Sequence, residues 1–193
     1  MDEKIKLIVN SFGDTRVKLN EPLSNHTYLH LGGPAKLFYI AFTQRELIKI
    51  VEMCRQFSIP FLVFGTGSKI AISDKGFEGA AIKNRTKNIQ TLSVKGKVTR
   101  VGIGIAEALV EIDSGVSINK FIEYLNSQGL STSEFINIPG TIGGNIVLNF
   151  FLQTKAESIK VLDQRNTVDV ITARELDLRK HIILSAVFRI KAK

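Results

Sequence analysis

Glu134-Phe-Ile-Asn-Ile-Pro-Gly-Thr-Ile-Gly-Gly-Asn-Ile-Val-Leu-Asn149 places three glycines and a proline within six positions, at Pro139, Gly140, Gly143 and Gly144, between two apolar flanks. Pro139 removes a backbone donor and each glycine adds to the entropy lost on folding, so Pro139–Asn145 reads as neither regular helix nor strand. Glycine has no Cβ, which lets a ligand lie against the backbone, and successive free N–H groups form a nest for an anion. A tight turn between two buried elements is the bland reading of the same residues.

A second glycine-rich loop lies N-terminal to the first. Phe61-Leu-Val-Phe64 reads as a short buried strand that runs directly into Gly65-Thr66-Gly67-Ser68-Lys69. A strand followed by Gly-x-Gly is a common way to present backbone donors to a phosphate. The loop lacks the dinucleotide fingerprint, because the third glycine position falls on Ile70 and no helix signal begins there. It is not a P-loop either, since Gly-Lys-Ser/Thr never occurs in the chain.

The chain has 193 residues, enough for one large domain or two small ones. Hydrophobic content of 44% and charged content of 23% are ordinary for a globular protein. No apolar run approaches the roughly 20 residues that span a bilayer, and the charged start at Met1-Asp-Glu-Lys lacks a signal-peptide core. The expectation is a cytoplasmic protein with no membrane partner. One cysteine excludes an internal disulfide, and Cys54 falls on the apolar face of a predicted helix. Three scattered histidines give no metal-ligand spacing, so no metal is expected.

Net charge is +8, from 26 basic and 18 acidic residues. The lysines are spread along the chain and tryptophan is absent, which argues against a nucleic-acid interface. The densest basic stretch, Lys83-Asn-Arg-Thr-Lys87, reads as a solvated connection, with a nucleotide-like polyanion as the second reading.

Periodicity gives the remaining elements. Ile5, Leu7, Ile8 and Phe12 form an amphipathic segment ending near Gly13. Leu37–Ala41 reads as a strand. Thr43-x-x-Glu46 is a capping box opening a helix with Leu47, Ile50, Val51 and Cys54 inward. Ala80–Ile82 is a further strand, completing a β-α-β unit with extra strands. In the second half, Ile89–Val94 and Val98–Ile103 are predicted to flank a Lys95-Gly96-Lys97 turn as a hairpin. Ala108–Ile112 is a strand turned by Asp113-Ser114-Gly115. Ser117 caps a helix carrying Ile118, Phe121, Ile122 and Leu125, stopped by Gly129. Ile159–Asp163 and Val168–Ile171 form a hairpin around Gln164–Asn166, and His181–Ile190 is a final strand. The expected class is α+β, in two subdomains sharing one cleft: residues 1–86 and residues 87–193.

Four motifs carry a family resemblance. Leu31-Gly-Gly-Pro-Ala35, Ile59-Pro60, Phe64–Ile82 (FGTGSKIAISDKGFEGAAI) and Gly129–Asn145 (GLSTSEFINIPGTIGGN) match in order and spacing, from about Pro22 to Phe188. In these the chain resembles the enolpyruvyl-UDP-N-acetylglucosamine reductase family, also called UDP-N-acetylmuramate dehydrogenase, flavin enzymes that make a peptidoglycan precursor. The resemblance implies the two-subdomain FAD-binding fold of the vanillyl-alcohol oxidase and p-cresol methylhydroxylase type, with FAD as cofactor and NADPH as reductant.

It further implies that Gly65, Thr66, Gly67, Ser68 and Lys69 cradle the FAD pyrophosphate, with Lys69 standing where the family usually has asparagine. Pro139, Gly140, Thr141, Gly143, Gly144 and Asn145 match a second flavin-contacting loop. Gly115 and Val116 match a turn that touches the cofactor, and Ile182 lies in a closing strand that does so. Glu134 occupies the place of a family glutamate and reads equally as a loop brace. His30 replaces a family arginine or lysine, so a permanent charge is given up there.

The chain also departs from the family pattern. The substrate-positioning Tyr-Arg is replaced by the shorter Glu175–His181, in which Arg179 is a loose candidate. Phe150-Phe151-Leu152 follows Asn149 where Ala-Gly-Ala-Tyr is usual. The family's third domain, carrying the serine that protonates the enol carbon and its glutamate partner, would begin after Phe188-Arg-Ile-Lys191, so no catalytic residue is assigned. Ser185 lies in the wrong segment and reads as a buried strand residue. Three readings follow: a flavoprotein oxidoreductase of reduced architecture that passes electrons but lacks the acid for the full family reaction, with a UDP-sugar and a completing partner chain or homo-oligomer as its candidate partners; a non-catalytic flavin- or nucleotide-binding module; and, on charge alone, an RNA-binding protein.

Overall fold

The computed structural model describes residues 3–13, 15–99 and 102–193. The chain divides into two compact units, Met1–Thr86 and Lys87–Lys193.

In the first unit, α1 (Glu3–Phe12) precedes β1 (Val17–Pro22) and β2 (Pro34–Ala41); α2 (Gln44–Gln56) follows, then β3 (Phe61–Phe64) and β4 (Phe77–Asn84). The strand order is β1-β2-β4-β3. β1 is antiparallel to β2, whereas β2 and β3 both run parallel to β4. The β2–α2–β3 crossover therefore leaves a gap that β4 fills.

Helix α2 starts where the sequence predicts. Thr43 Oγ1 accepts from the Glu46 N–H at 3.2 Å, and the Glu46 carboxylate reaches back to the Phe42 N–H at 2.8 Å. Its apolar positions Leu47, Ile50, Val51 and Cys54 are fully buried. Burial pushes the Cys54 thiol up to about 12, so it behaves as a small hydrophobe. In α1, Ile5 and Ile8 are buried, while Leu7 is half exposed and lies off the inward stripe. The opposite side of the sheet carries a second cluster, in which Leu23, Ala35, Phe38, Phe64 and Ala81 pack with Ile70 and Ile72.

The second unit is a five-stranded sheet in the order β5-β6-β9-β7-β8, with β5 Ile89–Thr99, β6 Gly102–Asp113, β7 Ala156–Leu162, β8 Val168–Ile171 and β9 Ile182–Lys191. Every pairing in it is antiparallel. Helices α3 (Ile118–Ser127), α4 (Ile142–Leu148) and α5 (Phe150–Lys155) contribute Phe121, Leu125, Ile142, Ile146 and Leu152 to the core built on Val110, Ile112, Ile159 and Phe188. Phe121, Phe135 and Phe188 meet with ring centroids 4.9–6.0 Å apart.

Two sequence expectations change here. Lys95-Gly96-Lys97 is not a turn: β5 runs through it to Thr99, which pairs with Gly102, and residues 100–101 lie outside the described residues. The register shifts between Lys95 and Gly96, which pair with Glu107 and Ile105, so Ala106 of β6 is the extra residue of a bulge facing this point of the long strand. Pairings such as Val94↔Ala108 and Lys97↔Gly104 decide this, and they are invisible to a local turn signal. The strand predicted at Ala108–Ile112 is likewise the far half of continuous β6.

The second change falls on the opening stretch. Ile142–Leu148 is helix, running through both Gly143 and Gly144. The glycine penalty, about 1 kcal/mol each in a helix interior, is offset from three sides. Thr141 caps the helix, accepting from the Gly144 N–H at 3.3 Å. Buried Asn145 donates from Nδ2 to the carbonyls of Pro139 (3.0 Å) and Thr141 (2.9 Å). Ile142 and Ile146 are buried in the core, each contributing about 1.5–3 kcal/mol.

Candidate functional site

Strand β3 ends at Phe64, and the chain turns at Gly65–Lys69 into a segment packed on residues 26–31. Gly67 takes φ +70°, and a Cβ there would lie 2.7 Å from Thr27 Cα and 2.9 Å from the His26 carbonyl oxygen. Glycine is therefore required twice, by conformation and by contact. The Gly67 carbonyl accepts from the Tyr28 N–H at 3.3 Å. Thr27 in turn donates from Oγ1 to the Leu31 carbonyl at 2.8 Å. Gly33 and Gly76 lock the next layer: a Cβ on Gly33 would come within 2.1 Å of the Asp74 carbonyl oxygen, and one on Gly76 within 2.2 Å of that of Pro34.

Among the described residues, no backbone carbonyl accepts from the N–H of Thr66, Gly67 or Ser68. The Thr66 and Ser68 hydroxyls bond one another at 3.1 Å. Burial holds the Lys69 ammonium below its ordinary value. Three consecutive donors beside a partly buried cation suit a phosphate, and this donor set fits the diphosphate of a dinucleotide.

Behind this loop, the His26 ring stacks on Phe38 at 4.0 Å and its Nε2 meets Glu21 Oε1 at 2.8 Å. Burial raises the Glu21 carboxyl, but hydrogen bonds from His26 and Lys18 outweigh it and the net shift is downward. His30 is exposed, at φ +54°.

The second unit holds the other residues that the sequence singles out. The Gly143 N–H donates to the Ser114 carbonyl at 2.8 Å, the Ile142 N–H to Val116 at 2.9 Å, and the Ile118 N–H to Gly140 at 3.0 Å. Gly115, Val116, Pro139, Gly140, Thr141, Gly143, Gly144 and Asn145 are thus one knot of turns. Ile182 lies one residue from Ile183, whose carbonyl accepts the Ser114 hydroxyl at 2.7 Å. The N–H groups of Ile142, Gly143, Gly144 and Asn145 all have acceptors within the chain. These donors hold the turn, whereas among the described residues the N–H groups of Thr66, Gly67 and Ser68 have no backbone acceptor.

Glu134 pairs with Lys155 at 2.7 Å on the surface of α5, which ties the turn before α4 to the helix after it. Arg179 is largely exposed and pairs with Asp177 two residues away at 3.3 Å. Ser185 is buried and donates to Glu111 at 2.7 Å. Phe150 and Phe151 are exposed on α5 while Leu152 is buried. Sequence reasoning missed Ser114, Thr27 and His26, the residues that press on the critical glycines; their signal is only adjacency to matched motifs. It also placed Lys83 in a solvated connection, whereas Lys83 lies within β4, one residue before its end, and is partly buried.

Among the described residues, no helix is long and apolar enough to cross a membrane, and no group of three or more His, Cys, Asp or Glu could hold a metal ion.

Two units with these topologies, the first parallel at its centre and the second wholly antiparallel, make up the two-subdomain α+β FAD-binding fold. The solved structure of p-cresol methylhydroxylase with substrate bound matches all of this chain and 44% of its own, at a TM-score of 0.59 and 12% identity. That of UDP-N-acetylenolpyruvylglucosamine reductase from Thermus caldophilus matches 92% of this chain and 63% of its own, at 0.67 and 21% identity. The FAD binding domain family model matches residues 35–174, and the chain belongs to that family. FAD is accordingly its cofactor. The chain is also similar to the UDP-N-acetylenolpyruvoylglucosamine reductase of Caldanaerobacter subterraneus subsp. tengcongensis, 31% identical over 180 residues that make up 90% of this chain. It spans about half, 54%, of that relative's length.

Proposed function

We propose that this chain is the FAD-holding part of a flavin-dependent oxidoreductase that reduces the enolpyruvyl group of a UDP-sugar in the cytoplasm, with NADPH as hydride donor. The observation that carries the reading is the run of three N–H groups at Thr66–Ser68 that have no backbone acceptor among the described residues, inside the segment matched by the FAD binding domain model. In this reading Gly65–Lys69 bind the diphosphate. Gly67 keeps the backbone close enough for its neighbours' donors to converge, and Lys69 adds a point charge. Gly115, Val116, Glu134, Pro139, Gly140, Thr141, Gly143, Gly144, Asn145 and Ile182 contribute the remaining cofactor contacts through their turns.

When bound, the flavin supplies a two-electron carrier between a reduced nicotinamide and an electron-poor double bond. Proton delivery to the adjacent carbon needs a general acid. We place that acid in a further domain or partner subunit, because Ser185 is buried against Glu111 and Arg179 is bound to Asp177.

The test is an absorption spectrum of the purified chain after incubation with FAD and desalting, followed by anaerobic titration with NADPH. Retained flavin that bleaches on NADPH addition is the expected result. A chain that retains no flavin overturns the reading, and flavin that no nicotinamide reduces marks a binding module.

A further inference from the structure

We propose that Lys83 is a binding residue for the diphosphate of the dinucleotide, acting from the sheet beside the Gly65–Lys69 loop; the inference rests on the reading of that loop as the FAD site. In sequence, Lys83 is only the first member of a basic run. In the fold it occupies β4, the strand flanked on both sides by parallel neighbours, in register with Ile40 of β2 and Phe64 of β3. Phe64 is the last residue before Gly65, so Lys83 stands level with the start of the loop. Open sheets of this kind bind ligands at the carboxyl ends of their parallel strands.

Strand alternation puts Lys83 on the same face as Ala81, which packs with Phe38, Phe64, Leu23, Ile70 and Ile72. Lys83 Nζ donates to the His26 carbonyl at 3.2 Å. That same oxygen lies 2.9 Å from where a Cβ on Gly67 would be. The ammonium, the His26 carbonyl and Gly67 are consecutive neighbours.

The charge balance at this corner calls for an anion. Burial lowers the Lys83 ammonium, and the charge of Arg85, just past the end of β4, lowers it further. Among the described residues neither Lys83 nor Arg85 is ion-paired with a carboxylate. A partly buried cation with only a neutral acceptor is costly unless a counter-charge arrives. The adjacent N–H groups of Thr66–Ser68 lack acceptors as well. A diphosphate satisfies both sets at once.

The test compares the full chain with Lys83→Met and Lys83→Arg, titrating each with FAD, ADP and riboflavin and recording a melt of each apoprotein. Lys83→Met is expected to weaken FAD and ADP about tenfold to a hundredfold, the range for one charged hydrogen bond, and to leave riboflavin unchanged. Lys83→Arg is expected to stay near the parent. Equal FAD affinity in parent and Lys83→Met overturns the inference and leaves the FAD reading standing. So does a loss shared equally by riboflavin, which would mark Lys83 as a brace for residues 26–31. A parent chain that binds no FAD overturns both readings. Acetylation of Lys83 in the unmutated chain, mapped by mass spectrometry, needs no variant: slowing by FAD and ADP but not riboflavin supports the inference, and any other pattern overturns it.

Discussion

Gly143 and Ser114 are locked together: the Gly143 N–H donates to the Ser114 carbonyl at 2.8 Å, and a Cβ on Gly143 would stand 2.9 Å from Ser114 Cβ. Ser114 is itself held on β9 through its hydroxyl, which donates to Ile183, and its N–H, which donates to Leu184. It has no room to retreat. Gly143→Ala should destabilise the chain by about 1–3 kcal/mol through overpacking. Gly144→Ala is its control, because a Cβ there meets only Thr141 Oγ1 at 3.5 Å. That variant should be neutral or up to about 1 kcal/mol more stable, since alanine removes the helical glycine penalty. Urea midpoints of the two variants decide the matter, and equal losses would show that α4 does not sit on this turn.

Gly67→Ala combines a positive φ with a Cβ 2.7 Å from Thr27 Cα. The loop must move away from residues 26–28, which disperses the three donors. The expected result is at least a tenfold loss of FAD affinity, of the order of one lost charged hydrogen bond, with a smaller loss of stability. Isothermal titration measures the first and a thermal melt the second.

Glu111 sits at the centre of a ladder across four strands. Lys160 Nζ and the Ser185 hydroxyl both reach its Oε1 at 2.7 Å, and Gln90 Nε2 reaches Oε2 at 2.9 Å. Burial pushes the carboxyl up, but these three donors outweigh it and hold it below its ordinary 4.5. Because the folded-state value is depressed, the stabilisation is complete above 4.5 and is lost as pH falls through the lower, folded-state value. Glu111→Ala should cost about 1–3 kcal/mol at pH 7, because it leaves the buried Ser185 hydroxyl without its acceptor and removes the Lys160 ion pair. The gap between parent and variant should narrow as the pH falls below 4.5 and through the lower, folded-state value. Urea denaturation at the two pH values checks both statements.

The Tyr39 hydroxyl is fully buried and has no hydrogen-bond partner among the described residues, and burial raises the phenol to about 12. Its ring is held by Phe12 at 4.6 Å and by the Arg16 guanidinium at 5.4 Å. Tyr39→Phe keeps those contacts and removes the orphan, so stability should rise by about 1 kcal/mol. A fall in the denaturation midpoint would instead reveal an ordered water bonded to the hydroxyl.

Much of the fold is legible locally. Thr43 and Glu46 announce the start of α2, and Ser117 and Gly129 bracket α3, because caps and glycine stops act within a few residues of themselves. The strand Phe61–Phe64 is legible as well, because a short apolar run bounded by Pro60 and Gly65 is a local signal. What the sequence could not show is how its two glycine-rich stretches differ. Each reads as a nest, yet the donors at Ile142–Asn145 are taken by Val116, Ser114 and Thr141, two of them across a turn, while those at Thr66–Ser68 are not.

By itself, then, the sequence determined the α+β class, most of the helices and strands, and the family whose motifs run through the chain, because these rest on short-range patterns and motif order. Tertiary structure alone decided that a β-bulge faces Gly96, that Gly143 and Gly144 lie in a helix, and that Lys83 lies within β4 with its ammonium on the His26 carbonyl. Each of those outcomes depends on a partner far along the chain, Ile105 for Gly96, Ser114 for Gly143, and His26 for Lys83. Backbone pairing and close packing act through space, and a local reading of residues carries no record of them.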